Sequence, residues 1–277
     1  MRSAGGTIHA VRSSHWRIGH ITITRVDSTN FVLPSHRRLP AWAVPAFTPS
    51  TNQSPIAFSA LVVRTPKTAI VIDPWLVDDG PRSRPDANEV VEALLSEVAV
   101  VGAPPEIIET VVLSHLDGIG WCTRPTAEGW RPAFPNARYL LPSAELAAID
   151  RGDPINGAEH LGPLRDAGVL HPVDAPFELA PGIHLIDAAG HNAGHHAVRI
   201  ESGSSLAIYA GHLVLSLLQV DDPDDDIGDS DITNAALTRR RILSELADRD
   251  GVLLTTLIGG PGGGIVSRNG TGFRLTT

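Results

Sequence analysis

The sequence is poor in sulfur and in aromatic side chains. One cysteine, Cys122, and one methionine occur in 277 residues, and Phe, Trp and Tyr make up 5%. A single cysteine excludes an internal disulfide and fits a reducing compartment. Long apolar runs are missing too. No stretch approaches the roughly 18 apolar residues of a membrane span, and Met1 to Ile18 has no apolar core of signal-peptide length. A soluble, cytoplasmic protein is expected. Positive charge is short as well: 22 Lys and Arg stand against 31 Asp and Glu, for a net charge of −9. Phosphate backbones and anionic lipid both demand a basic face, so neither nucleic acid nor membrane is an expected partner. A small-molecule substrate is expected, and the oligomeric state is open.

Hydrophobic residues make up 42% of the chain, enough for a sizeable core. The expected organisation is a flexible stretch over residues 1–15 and a single domain over 16–277. Ile18 to Val26 alternates apolar and polar residues and reads as a half-buried strand, with Ile21 and Ile23 on one face. Phe31 to Ser54 holds four prolines and reads as a long irregular segment, a lid or substrate-facing loop. Phe58 to Arg64 and Thr68 to Ile72 form a hairpin around Pro66-Lys67. Val91, Leu94, Leu95 and Val98 fall at helical spacing, and Gly102 stops that helix. Ser143 is the expected cap of a short helix through Ile149, with another helix over Gly157 to Ala167. Leu206 to Leu218 reads as strand, interrupted by Gly211-His212. Thr233 is expected to cap a helix to Asp248, with Ala236, Leu243, Leu246 and Ala247 facing inward, and Val252 to Ile258 to form a last core strand.

Two charged or glycine-rich stretches exclude familiar sites. Asp221 to Asp231 has aspartates at alternate positions but lacks the turn glycine and closing Glu of a calcium loop, so a solvated acidic loop is expected. The run Gly259-Gly260-Pro261-Gly262-Gly263-Gly264 lacks the Lys and Ser/Thr of a phosphate-binding loop.

The chain is organised around Val111 to Trp121. Val111, Val112 and Leu113 suit a buried strand, which ends in Ser114-His115-Leu116-Asp117 and is broken by Gly118 and Gly120. A strand ending in His and Asp places polar groups at the carboxyl edge of a sheet, where layered α/β proteins bind ligands. In isolation, a polar turn is the simpler reading. Other segments change its weight: Val71-Ile72-Asp73, the Pro132–Tyr139 segment P-A-F-P-N-A-R-Y, Gly190–His195 (G-H-N-A-G-H), Gly211-His212, and the ending after Pro261.

In this order, these segments resemble the metallo-β-lactamase superfamily, in its lactonase-like branch. The resemblance implies an α/β fold, a four-layer αββα sandwich. It implies that His115, Asp117 and His191 occupy metal-binding positions and that Asp73 and His195 support them. It also exposes departures. Gly118 stands where a ligand His is usual, His212 replaces the Asp that bridges two metals, and Leu257 falls on the last metal His. Glycine and leucine cannot ligate, and an imidazole does not bridge as a carboxylate does. A dinuclear site is therefore not expected.

Two catalytic readings of the remaining residues stay open. His115, His191 and His212 make a three-histidine site for one metal (zinc, iron or manganese), with Asp117 as a further ligand. Such a metal would polarise a carbonyl and bring the pKa of a water to about 7. Without metal, the same cluster with His195, His196 and Asp73 would supply acid and base groups. Either way the expected function is an enzyme acting on a small carbonyl-bearing substrate, by lactone, ester or thioester hydrolysis or by related cyclase, lyase or isomerase chemistry. The alternative is a non-catalytic binding protein on the same fold. Cys122 becomes a nucleophile only if it faces the pocket beside a base such as His115.

Overall fold

The computed structural model describes residues 14–74, 87–116, 122–153, 155 and 158–277. The first half runs β1 (Ser14–Ile18), β2 (Ile21–Pro34), β3 (Gln53–Arg64), β4 (Ala69–Ile72), α1 (Ala87–Val100), β5 (Thr110–Val112), β6 (Thr123–Thr126), β7 (Gly129–Pro132), β8 (Arg138–Pro142), α2 (Ser143–Asp150), α3 (Gly162–Asp166) and β9 (Leu170–Val173). The second half runs β10 (Phe177–Ala180), β11 (Ile183–Asp187), β12 (His196–Ser202), β13 (Ser205–Tyr209), α4 (Leu217–Asp221), α5 (Ile232–Asp248), β14 (Val252–Leu254), β15 (Gly263–Asn269) and β16 (Gly272–Thr276). Each half builds one seven-stranded sheet, in the orders β1-β2-β3-β4-β5-β8-β9 and β10-β11-β12-β13-β14-β15-β16.

Strand alternation sorts the side chains into layers. Val112 and Leu140 point between the sheets with Leu61, Ile70 and Ile72, and meet Leu185, Val198, Ile200 and Tyr209 of the second sheet. Their neighbours Val111, Leu113, Tyr139 and Leu141 point the other way, onto Val91, Leu94, Leu95 and Val98 of α1. On the far side, Ile208 and Leu253 of the second sheet pack against Ile242, Leu243 and Leu246 of α5. The result is the expected αββα sandwich. Strands β4, β5 and β8 run parallel, as do β13 and β14, so their carboxyl ends gather loops at one edge.

Several local expectations need correction. The Ile18 to Val26 strand is a hairpin instead, turning at Gly19-His20 between β1 and β2. The irregular segment is shorter than expected, because β2 extends to Pro34 and β3 begins at Gln53. The region from Leu206 leaves the sheet after Tyr209 for a short 3-10 turn and α4. Likewise β14 ends at Leu254, and Thr255 to Ile258 turn away. Ser143 caps nothing; Pro142 holds the cap position of α2, where no side chain can bond the first amides. Asp231, not Thr233, caps α5, accepting from the Asn234 amide at 3.0 Å. The buried face of α5 includes Ala235, Thr238, Arg239 and Ile242, one position off the expected Ala236.

The acidic loop is not solvated throughout. The Asp225 and Asp229 side chains are buried, and Asp229 pairs with Arg239 at 2.7 Å. In a second buried pair, Arg25 with Asp27, the guanidinium also donates to the carbonyls of Ile258 and Gly260. It thereby fixes the turn that follows β14.

Candidate functional site

Four strand ends supply the site. Asp73 follows β4, His115 follows β5, His212 follows β13, and His191 and His195 come from the connection between β11 and β12. All five are buried or nearly so. One ligating atom each from His115, His191 and His212 lies within 4.8 Å of the other two. The His115 ring also packs at 4.9 Å from that of His195. Asp117, with Gly118 and Trp121, lies outside the described residues.

Asp73 anchors the arrangement. Its φ is +43°, in the left-handed region that Asp tolerates better than most residues. The bend turns its carboxylate back onto the next strand. Oδ1 accepts from the Ser114 amide at 2.7 Å, and Oδ2 accepts from the Ser114 hydroxyl and the Tyr209 phenol, each at 2.5 Å. Burial raises the Asp73 carboxyl above its ordinary range despite these donors. Burial and the facing carboxylate push the Tyr209 phenol well up.

The direction of these bonds assigns the imidazoles. The Ser114 hydroxyl gives its one proton to Asp73, so it accepts at 2.9 Å from His115 Nδ1. That leaves His115 Nε2 unprotonated. It sits 2.8 Å from His212 Nδ1, which donates to it. His195 Nε2 accepts from the His212 amide at 3.1 Å. Burial, reinforced by the neighbouring histidines, holds both His115 and His195 well below the usual imidazole range. The rings are thus kept neutral, the form in which imidazole ligates metal or accepts a proton.

Gly211 makes this packing possible. Its φ is +54°, and a β-carbon there would lie 2.5 Å from His195 Nε2 and 3.0 Å from Ser114 Oγ. Only glycine lets the His212 backbone approach this closely. The His196 amide also donates to the Ser114 carbonyl at 2.9 Å, tying β12 to the strand that carries His115.

Cys122 is no open nucleophile. It is fully buried in the core under α1, and burial pushes its thiol well up, away from the thiolate a nucleophile needs. The Asp73 carboxylate adds to the effect of that burial. Leu257 is almost buried and lines a cleft of about 310 Å³ with Leu33, His36, Ile56, Leu215 and Ile227. A β-carbon on Gly228 would touch both Leu215 Cδ1 and His191 Cε1, so the cleft adjoins the cluster.

Four participants escaped the sequence reading. Tyr209 and Thr256, 3.0 Å apart, lay within apolar runs. Asp229 and Arg239 lay in an acidic loop and on a helix face, where charge is ordinarily solvated. A tyrosine inside a buried strand was the one available signal, because its hydroxyl requires a partner.

No protein-family model matches the chain, and no curated protein matches it in sequence. Its backbone, however, superposes on solved structures. AidC, a dizinc quorum-quenching lactonase in complex with a product, is 20% identical with a TM-score of 0.74, covering 96% of this chain and 97% of its own. AbOPH, a hydrolase in the β-lactamase superfamily, is 18% identical with a TM-score of 0.73 over the same shares. A probable metal-dependent hydrolase from Staphylococcus aureus is 16% identical with a TM-score of 0.66, covering 87% and 91%. The chain therefore has the metallo-β-lactamase fold that the sequence resemblance implied.

Proposed function

We propose that this chain hydrolyses a small carbonyl-bearing substrate (a lactone, ester or thioester) with at most one metal held by His115, His191 and His212. The observation that carries this reading is the convergence of three buried imidazoles within 4.8 Å. The donor set fits a zinc-like ion, which three neutral histidines hold with one position open. Such an ion, when bound, supplies Lewis-acid polarisation of the carbonyl. The chain's own residues do the rest. Asp73 and Ser114 hold the His115 proton at Nδ1 and present Nε2. His195 holds the His212 backbone. The apolar cleft beside His191 takes a hydrocarbon part of the substrate and excludes water from it.

A second reading is supported by the direct 2.8 Å hydrogen bond between His115 and His212. That bond is complete without metal and suits a neutral acid–base pair able to move a proton between substrate atoms. Such a pair fits cyclase, lyase or isomerase chemistry.

Elemental analysis of protein purified without chelator, with turnover of a lactone, ester and thioester panel before and after zinc, iron or manganese addition, separates the two. About one equivalent of metal and metal-dependent turnover are expected. Turnover that persists at full rate with under about 0.2 equivalents selects the acid–base pair. Ligand-induced thermal stabilisation without any turnover selects a binding protein.

A further inference from the structure

His115 is oriented through Asp73 and Ser114, and the neighbouring His191 has a carboxylate of its own. Its Nδ1 lies 3.5 Å from Asp229 Oδ1, with both side chains buried. Among the described residues neither atom has a hydrogen-bond partner, and the pair as placed lacks hydrogen-bond alignment. A buried imidazole nitrogen and a buried carboxylate oxygen left facing each other are each short of one bond, and a small ring rotation supplies it.

Asp229 is not free to turn elsewhere. Its other oxygen, Oδ2, is held at 2.7 Å by Arg239 Nη1. The Arg239 guanidinium is fully buried on α5 and donates also to the carbonyls of Pro223, Leu213 and Asp225. Leu213 directly follows His212. One guanidinium therefore fixes both the turn bearing His212 and the carboxylate beside His191. The backbone agrees with this, for the Ser230 amide donates to the His191 carbonyl at 2.9 Å and the Asp231 amide to the Gly190 carbonyl at 2.9 Å. The acidic loop is thus laced along the strand connection that carries His191.

We propose that Asp229 is a positioning residue that, held by Arg239, accepts the Nδ1 proton of His191 and leaves Nε2 as the nitrogen offered to His115 and His212. The inference rests on the proposed use of the histidine cluster. It adds a second carboxylate, on the loop between α4 and α5, that holds His191 directly where Asp73 holds His115 through Ser114. A carboxylate behind a histidine fixes its tautomer and raises its basicity, and removing one weakens metal affinity about 10–100-fold in other sites.

Long-range proton–nitrogen NMR of the ¹⁵N-histidine-labelled wild-type chain tests this first. The His191 signals, assigned by loss in His191→Gln, are expected to show the proton at Nδ1. In Asp229→Asn, which keeps the shape, the proton is expected to redistribute between the two nitrogens, while the zinc dissociation constant rises at least tenfold. A proton at Nε2 in the wild type overturns the proposal without any variant at Asp229. So does an Asp229→Asn chain that folds and keeps the wild-type tautomer. If zinc fails to bind the wild type, the metal reading falls, and the tautomer measurement still decides the role of Asp229.

Discussion

His115 Nε2 and His212 Nδ1 face each other at 2.8 Å across the centre of the site. Two nitrogens on one tetrahedral metal, each about 2.0–2.1 Å from it, would sit about 3.3 Å apart. A metal therefore replaces this bond rather than joining it, and either histidine alone should be insufficient. His115→Ala and His212→Ala are each expected to lower turnover by about 10²–10⁴. Each should also abolish zinc binding in a competition titration while the chain stays folded. Full activity in both variants would remove the cluster from the chemistry.

Asp73→Asn tests the anchoring carboxylate. The Asp73 oxygens accept from three donors, and an amide can present only one oxygen to them. With the amide oxygen kept at the Ser114 N–H, the Ser114 and Tyr209 hydroxyls both face the new NH₂, a loss of about 1–3 kcal/mol. The Ser114 proton is also released to bond His115, which moves the imidazole proton to Nε2. Denaturant unfolding should show the destabilisation. Turnover should fall by more than the unfolded fraction explains, at least about tenfold.

How much of this was legible in the sequence follows from the range of each interaction. The layers were legible through the family resemblance; Val111, Val112 and Leu113 read only as a buried strand, because a run apolar throughout does not say which side chain faces which layer. His115, His191 and His212 were readable from short motifs. Their partners were not: Tyr209 lies 136 residues from Asp73. Arg239, a charged residue on a long helix, reads as surface until the loop that encloses it is seen. Strand ends were misread for a different reason. Leu257 and Ile258 are as apolar as a strand requires, yet Arg25 bonds the carbonyls of Ile258 and Gly260 and pulls that segment out of the sheet.

Acid should destabilise the chain through its buried imidazoles. Burial lowers the pKa values of His115 and His195 in the folded state below the ordinary 6.5. As pH falls through about 6.5, the unfolded chain takes up protons that the folded chain refuses, so stability falls with pH. Each fully buried histidine contributes a slope of up to about 1.4 kcal/mol per pH unit down to its folded pKa. Asp73 acts with the opposite sign, since its raised pKa favours folding at low pH and loses that contribution as pH rises through it. Two such imidazoles stand against the one carboxyl between pH 5 and 7. The melting temperature is expected to drop steadily over that range, and a bound metal keeps the sign because ligating imidazoles must be neutral. A flat profile would mean these rings are hydrated.

Gly211→Ala should damage the site directly. The backbone there is left-handed, and the added carbon meets a fully buried His195 ring that has no room to yield. The combined strain and overpacking are expected to cost about 2–4 kcal/mol. Thermal unfolding should move down by roughly 5–15 °C. Gly203→Ala is the control, with a similar positive φ of +61° but open space around its β-carbon. Its smaller loss isolates the part due to the His195 contact.

The apolar cleft makes a prediction about substrate shape. Leu257 holds its backbone in place through its carbonyl, which accepts from the Ala57 amide at 2.8 Å, so its side chain can be changed without moving the turn. Leu215 and Ile227 face it across about 310 Å³. If a hydrocarbon tail occupies that space, the wild-type kcat/KM should climb along a series of esters or lactones of increasing chain length. Each well-placed methylene contributes about 1 kcal/mol or somewhat more until the cleft is full. Leu257→Trp fills the cleft and should flatten that climb, raising KM about tenfold for the long substrates while leaving the shortest unaffected. A climb that survives Leu257→Trp would place the tail elsewhere and leave the cleft without a part in recognition.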